Sequence, residues 1–560
     1  MKLPEPISRT FTGLIADIEK GEIKIPQFQR EFVWDMKKSA KLMDSIIKGY
    51  PIGTFIFWRT KERLRSIRDL GNFSLPALSE SEFLDYVLDG QQRLTTLFAT
   101  LKGLKIKRGE KLEDYDDIYI NLEADEDNDD DVVVVDKENL DQAAIIRLKD
   151  LLYGELSLLF QFDKKYHPKL QDYRTRIESY NYSIILVRDA PLDIATEIFT
   201  RINEGGKPLT VFEIMIAKTF DSDKDFDLAE KYKKLIERLS EVDYETISDA
   251  TVLQTVSILL EKECNKRTIL KLNKHKFIDI WDDAVNAIEA TVDYFKNFYR
   301  VPVSQMLPYN ALIVPFAYFF YHHKNKPTGD KQKYLQDFFW RASLGTRYTS
   351  GVEAKLAQDT KKIDVILKGE LPRYDWAVDV SPEFIENNGG FSASRSYIKA
   401  LLSLYAYFQP KSFVDDSLVR VDNNWLKQAN SKNYHHFFPK AYLNKKLNWE
   451  SKDFYINHIL NITIVDDYLN KREIGAKPPS QYMKSFSRKN RELPETMKSH
   501  LINDLDKFGI WDNDYEKFLK QRAKAISREL KKRVIEQEVD RTMSVEIQED
   551  YAENNELEAV

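Results

Sequence analysis

His435 and His436 stand side by side in the run Asn433-Tyr434-His435-His436-Phe437-Phe438-Pro439-Lys440, and Asn461 opens the run Asn461-Ile462-Thr463-Ile464-Val465. The spacing reads as a β-hairpin followed by a helix that carries Asn470. Neighbouring residues on a strand point to opposite sides, so the two rings can divide their work where the strand bends. One ring then ligates a metal ion while the next faces a phosphate. Cleaving a phosphodiester needs a base to deprotonate water and a cation to stabilise charge on the phosphate. Asn470 offers a carbonyl oxygen, a hard ligand suited to Mg²⁺ or Mn²⁺. Asn461 bridges the two strands through its amide and fixes the loop that carries the base. Lys440, Lys471, Arg472 and Lys477 are placed to meet DNA phosphates. His322-His323 is the internal contrast: it follows an apolar helix, meets no Asn-apolar strand, and reads as a surface pair at a helix end. His458 and His500 read as structural.

A chain of 560 residues is too long for one core, so two or three domains are expected. One cysteine, Cys264, excludes an internal disulfide and a Cys-x-x-Cys zinc site, and a reducing cytoplasm is the natural compartment. Met1-Lys2-Leu3-Pro4 leads into no apolar signal segment. The most apolar stretch, Ala311 to Tyr321, is too short for a bilayer and is interrupted by Pro315, so it is expected to be a core helix rather than a membrane span.

A net charge of −6 looks wrong for a DNA-binding protein, but the charge is unevenly spread. Glu123 to Asp131 holds seven acids and no base, and Glu536 to Val560 holds nine acids and one base. Arg395 to Arg533 holds 27 Lys and Arg against 16 Asp and Glu. Phosphate contacts dominate nucleic-acid affinity, so a local basic surface counts for more than the sum. The acidic tail is expected to be disordered.

The first part of the chain reads as mixed α/β. Helices are expected over Ser8 to Lys20, Lys37 to Lys48 and Leu94 to Leu101, with strands at Thr54 to Trp58, Tyr86 to Leu88 and Ser183 to Val187. The acidic run lies between the strands Ile118 to Ile120 and Val132 to Val135. A helix starts near Ile194 and ends at Gly205-Gly206. Residues 227–390 are mainly helical, with examples at Thr251 to Cys264, Phe277 to Tyr299 and Lys331 to Leu344. Asn387-Asn388-Gly389-Gly390 marks the next boundary. A helix-rich domain, 391–535, follows, and its long basic helix, Asp514 to Arg533, precedes the tail, 536–560. In the first region, 1–226, Tyr86-Val87-Leu88 runs into Asp89-Gly90, and Gln91-Gln92-Arg93 opens a helix. Such a turn exposes backbone N–H groups to an anion, and Arg93 adds a fork suited to phosphate.

Both signals carry a family resemblance. His435 to Pro439, Asn461 to Ile464, Asn470-Lys471 and Gly475-Ala476-Lys477-Pro478-Pro479-Ser480-Gln481-Tyr482 resemble the HNH (ββα-metal) nuclease of the GmrSD C-terminal domain. That resemblance implies His436 as the base, and His435 and Asn470 as metal ligands. Ile25-Pro26-Gln27-Phe28-Gln29-Arg30-Glu31-Phe32-Val33-Trp34, Tyr50-Pro51-Ile52-Gly53, Asp89 to Arg93 and Phe199 to Leu209 resemble the GmrSD N-terminal domain, which is similar to the ParB/sulfiredoxin fold. It implies nucleoside triphosphate binding and hydrolysis at Gln29, Arg30, Asp89, Gly90, Gln91, Gln92, Arg93 and Asn203. Together they imply a mixed α+β, multidomain, modification-dependent (type IV) restriction enzyme of bacterial anti-phage defence. Its expected substrate is phosphorothioate or glucosylated hydroxymethylcytosine DNA, and a homo-oligomer is compatible with it. Trp34, Tyr50 and Trp58 are candidates for a base or sugar pocket, although packing is the commoner fate of such aromatics. Two other readings stay open: a nucleotide-gated DNA-binding regulator with an inactive HNH fold, and a general nuclease acting as an abortive-infection effector.

Overall fold

The computed structural model describes residues 3–547 apart from 27–31, 65, 67, 68, 71, 72, 75–82, 109, 110, 127–129, 139, 203–209, 222, 424–433, 448–451 and 466–473. The described residues form two compact units that meet in sequence at residues 228 and 229.

The first unit is built on a mixed five-stranded sheet. Its elements are β1 (Glu5–Thr10), α1 (Phe11–Glu19), β2 (Ile23–Lys24), α2 (Met36–Ile47), β3 (Phe55–Thr60), β4 (Leu84–Asp89) and α3 (Gln91–Lys102). A small sheet of β5 (Tyr119–Asn121), β6 (Val133–Val134) and β7 (Ile145–Arg147) follows, then β8 (Asn181–Arg188) and α4 (Leu192–Ile202). The large sheet runs β1-β8-β3-β4-β2. β1/β8 and β3/β4 are antiparallel, while β8/β3 and β2/β4 are parallel. Phe11, Leu14, Ile15 and Ile18 of α1 and Met43, Ile46 and Ile47 of α2 bury against Phe55, Phe57 and Val87 of the sheet.

The helix expected from Ser8 starts later, because Ser8 to Thr10 belong to β1. Thr10 ends the strand, and its hydroxyl accepts from Gly13 N (3.3 Å), which caps the helix that opens at Phe11. The acidic run joins antiparallel β5 and β6, and Glu126 in it pairs with Arg176 (2.9 Å). The expected end of the helix at Gly205-Gly206 lies outside the described residues. Trp58 is fully buried and donates through Nε1 to Ala190 O (3.0 Å), so it packs rather than lines a pocket. Trp34 is half-buried beneath Lys38, and Tyr50 is exposed.

The second unit is helix-rich. Its longer helices include α5 (Asp249–Glu261), α6 (Lys274–Asn297), α7 (Ile313–His322), α8 (Gly329–Leu344), α9 (Val352–Leu367) and α10 (Ser396–Tyr407). The later elements are β9 (Tyr434–His436), β10 (Ile462–Ile464), α11 (Pro479–Lys489), α12 (Tyr515–Lys531) and α13 (Val539–Thr542). Pro315 does not break α7. It sits in the first turn, where the missing N–H leaves no bond unmade. Among the described residues no helix is long and apolar enough to cross a membrane.

The Asn387 to Gly390 stretch, read from sequence as a boundary, ends the helix Pro382–Asn388 and packs inside this unit. Gly389 O accepts from Ile459 N (2.8 Å), and Phe391 N donates to Asn457 O (2.8 Å). The start of the acidic tail is likewise built into the fold. Asp540 receives both arms of the fully buried Arg341 (2.6 and 2.8 Å), and it also accepts from Val378 N and Gln537 N (2.9 Å each). Composition marks this stretch as a solvated tail, yet one of its acids neutralises a core arginine. Residues 548–560 lie outside the described residues. Asp540→Ala leaves Arg341 buried without its bidentate partner, and the expected loss is about 3 kcal/mol of stability. It should appear as a lower thermal transition of this unit by calorimetry.

Candidate active site

β9 and β10 pair antiparallel in the register Tyr434↔Ile464, His435↔Thr463, His436↔Ile462. They are not joined by a tight turn. Two short helices, Lys440–Lys446 and Lys452–Ile456, and a 3₁₀ turn, Ile459–Asn461, lie between them. Asn461 closes this wide loop. Its amide donates to Phe438 O (3.0 Å) and Ile456 O (3.2 Å), its side-chain oxygen accepts from Phe438 N (2.8 Å), and its carbonyl accepts from Phe437 N (2.8 Å). The backbone after the histidines is thereby tied to the start of β10.

Apolar contacts hold the same loop from below. Phe437 and Phe438 are fully buried, and Phe437 stacks on Phe518 of α12 (4.9 Å, 7°). Phe438 meets Tyr515 (5.0 Å) and Phe518 (5.1 Å). Tyr482 of α11 donates its hydroxyl to Phe437 O.

The two histidines face different surroundings, as their strand positions require. His435 is 1% exposed and has Phe413, Phe437 and Tyr482 edge-on around it. Its Nδ1 lies 2.9 Å from Thr463 Oγ1. The Thr463 hydroxyl can donate to His435 O (3.4 Å), which leaves its oxygen to accept the Nδ1 proton. His435 Nε2 is then a bare ring nitrogen, and it is buried without a hydrogen-bond partner. Burial pushes the His435 pKa well below the ordinary range, with the charges of His436, His500 and Arg522 acting the same way.

His436 is partly buried, and its Nε2 lies 3.1 Å from Asn457 Oδ1. Asn457 Nδ2 donates to Phe391 O (3.0 Å), which orients the amide so that Oδ1 faces the ring. His436 therefore donates through Nε2 and keeps Nδ1 as its proton-accepting atom. Burial first, then the charge of Lys440, lowers its pKa to about 4. The ring is neutral at ordinary pH.

Lys440 and Lys477 are exposed. Asn470, Lys471 and Arg472 lie outside the described residues, and so does the helix expected to carry them. Among the described residues no group of three His, Cys, Asp or Glu side chains gathers as a metal cluster.

In the first unit, Asp89 ends β4, and Gly90 turns the chain in the left-handed region (φ 92°) to start α3. A side chain at Gly90 would meet the Phe55 ring, so the turn needs glycine twice over. Gly90, the N-cap residue, has no side chain with which to cap the helix start. Arg93 points back across the turn. It donates to Ile52 O (2.8 Å), Thr54 O (3.1 Å) and Asp89 Oδ2 (3.0 Å) and lies over Phe55 (5.1 Å). Much of its fork is therefore spent inside the protein. Gln92 Oε1 accepts from Val33 N (2.9 Å), which holds Val33 at the start of α3, and β2 lies beside β4. Gln29, Arg30 and Asn203 lie outside the described residues.

Residues 11–220 match the family model described as the GmrSD restriction endonuclease N-terminal domain, and residues 378–529 match that of the GmrSD restriction endonuclease C-terminal domain. The chain belongs to the GmrSD restriction endonucleases. It is also similar to an uncharacterized protein of Methanocaldococcus jannaschii, 23% identical over an alignment covering 89% of this chain and 92% of that one. Membership makes nuclease chemistry on DNA the activity class of the chain.

The Asp89–Arg93 turn falls in the GmrSD N-terminal match, and both histidines and Asn461 fall in the C-terminal one. Three residues that shape the GmrSD histidine pair escaped the sequence reading. Asn457 and Thr463 set the two imidazole tautomers, and Arg522 donates to Leu460 O, next to Asn461 (2.8 Å). Asn457 carries no periodic signal, and Thr463 reads only as a strand residue.

Proposed function

We propose that this GmrSD chain is a modification-dependent endonuclease, with His436 as the general base that takes a proton from the attacking water through Nδ1. The observation that carries this is the Asn457–His436 hydrogen bond, which leaves Nδ1 bare on a neutral ring. Asn461 fixes the loop that holds the base. His435 Nε2, buried and unpartnered, suits a metal ligand, and Asn470 would supply the other protein oxygen. Mg²⁺ or Mn²⁺, when bound, supplies the charge that stabilises the phosphate in the transition state. Lys440, Lys471, Arg472 and Lys477 meet DNA phosphates.

The Asp89–Arg93 turn, with Gln29, Arg30 and Asn203, is the proposed nucleoside triphosphate site. Its support is the start of α3 behind Gly90, an N-cap residue without a side chain, where helix amides favour an anion. The proposed role of nucleotide hydrolysis is to license cutting. The preference for phosphorothioate or glucosylated hydroxymethylcytosine DNA rests on the resemblance of the motifs, as does the role in anti-phage defence.

The test is cleavage of unmodified, phosphorothioate and glucosyl-hydroxymethylated DNA, with and without mixed nucleoside triphosphates. Cutting restricted to one modified DNA and altered by nucleotide is the expected result. Equal cutting of all three, indifferent to nucleotide, would replace this reading with a general effector nuclease.

A further inference from the structure

Four arginines are buried among the described residues of the second unit: Arg341, Arg347, Arg522 and Arg533. Three have a carboxylate. Arg341 pairs with Asp540, Arg347 with Asp359 and Arg533 with Glu529. Arg522, 1% exposed, has none among the described residues. Its Nη1 donates to Leu460 O (2.8 Å), and its Nε is buried without a partner. The guanidinium otherwise lies over the rings of Tyr405 (4.7 Å) and Phe518 (5.9 Å).

A cation taken out of water without a counter-ion opposes folding, and a well-packed apolar residue of similar volume is the more stable choice. Breaks of this kind in an otherwise consistent fold concentrate where function requires them. The position of Arg522 says which function. Tyr515, Phe518 and Arg522 share one face of α12. The first two pack on Phe438, and Phe518 also stacks on Phe437, in the loop after the histidines. Arg522 holds the carbonyl just before Asn461. Tyr405 supports the same turn by donating to Ile459 O (3.1 Å). After burial and the charges of His436 and His500, the charge of Arg522 acts in the same direction to lower the His435 pKa. In a desolvated interior such a charge is weakly screened, and phosphoryl chemistry gathers negative charge in the transition state.

We propose that Arg522 is a positioning residue of the nuclease site: it holds the Leu460–Asn461 turn against the histidine loop and lends the site an uncompensated positive charge. The inference rests on the assignment of His436 as the base. Its test uses the full chain and the DNA that the wild type cuts, in Mg²⁺ or Mn²⁺. Arg522→Lys, Arg522→Gln and Arg522→Met are compared with His436→Ala for kcat, KM and thermal midpoint. Lysine keeps the cation and a donor, glutamine keeps a donor alone, and methionine keeps only bulk.

The expected result is near wild-type cutting by Arg522→Lys. Arg522→Gln and Arg522→Met lose about 100-fold in kcat, with KM unchanged and a thermal midpoint no lower than that of the wild type. If activity and thermal midpoint fall together in Arg522→Gln and Arg522→Met, the arginine is merely structural and the inference fails. It fails also if Arg522→Met cuts at the wild-type rate while His436→Ala is inactive, and the base assignment then survives alone. Wild-type cutting by His436→Ala would overturn both.

Discussion

Replacing His436 by alanine is expected to lower the single-turnover rate of DNA cleavage by about 10³-fold, within the range for loss of a positioned general base. The chain should still fold and bind DNA. His436 lies at the end of β9, only partly buried, and the packing of the loop after it rests on Phe437, Phe438 and Asn461. Asn457 keeps its own bond to Phe391 O when the ring is removed. Fluorescence anisotropy on uncut DNA and a thermal melt separate loss of chemistry from loss of binding or fold. A variant that cuts as fast as the wild type would place the base elsewhere.

The second unit is expected to lose stability steeply in acid, through histidines that are held neutral. His458 is 1% exposed, accepts from Leu460 N through Nδ1 (3.1 Å) and meets Glu386 O through Nε2 (3.0 Å). A proton on Nδ1 would destroy the first bond. His500 is 3% exposed and meets Lys411 O through Nε2 (2.8 Å). Burial lowers the pKa of each to about 4. In the unfolded chain both return to about 6.5. The unfolded state then binds more protons as pH falls, so their contribution is complete above about pH 6.5 and is lost on the way down to about pH 4. Each accounts for a loss on the order of 3 kcal/mol over that window.

Asp337 works in the opposite sense, because burial pushes its pKa up to about 6. That shift is smaller; burial also raises Asp359 and Glu386, while His435 and His436, lowered by burial, add to the two histidines. Thermal midpoints of this unit should therefore fall between about pH 6.5 and 4. His458 lies in the turn that leads to Asn461, so cleavage should be lost with the fold. A midpoint that holds steady to about pH 5 would contradict the neutral, buried assignment of these rings.

The parts of the fold that follow from local pattern were legible in the sequence. The amphipathic spacing of α1, the glycine that ends α3 and the β-branched run of β10 each report a local preference. The wide loop between β9 and β10 was not legible, because its second short helix is held by Asn461, through Ile456 O, and by Tyr515 of α12, through Tyr455 O, contacts that no local pattern announces. Asp540 was hidden by its acidic neighbours: composition averages over the one acid that Arg341 buries. Asn457 was silent for a related reason. A lone polar residue acquires its role only when the Phe391 carbonyl orients its amide toward His436. Arg522 was only one of the bases counted between Arg395 and Arg533, whereas its helical position turns it into the core.

The measurement that most directly tests the account is cleavage of the three DNAs by the wild-type chain across a Mg²⁺ and Mn²⁺ titration, with an EDTA arm. Phosphodiester cleavage of at least one DNA that appears with metal and vanishes in EDTA is the predicted result. Intact DNA at every metal concentration, with DNA binding retained, would contradict it and leave a binding regulator with an inactive nuclease fold.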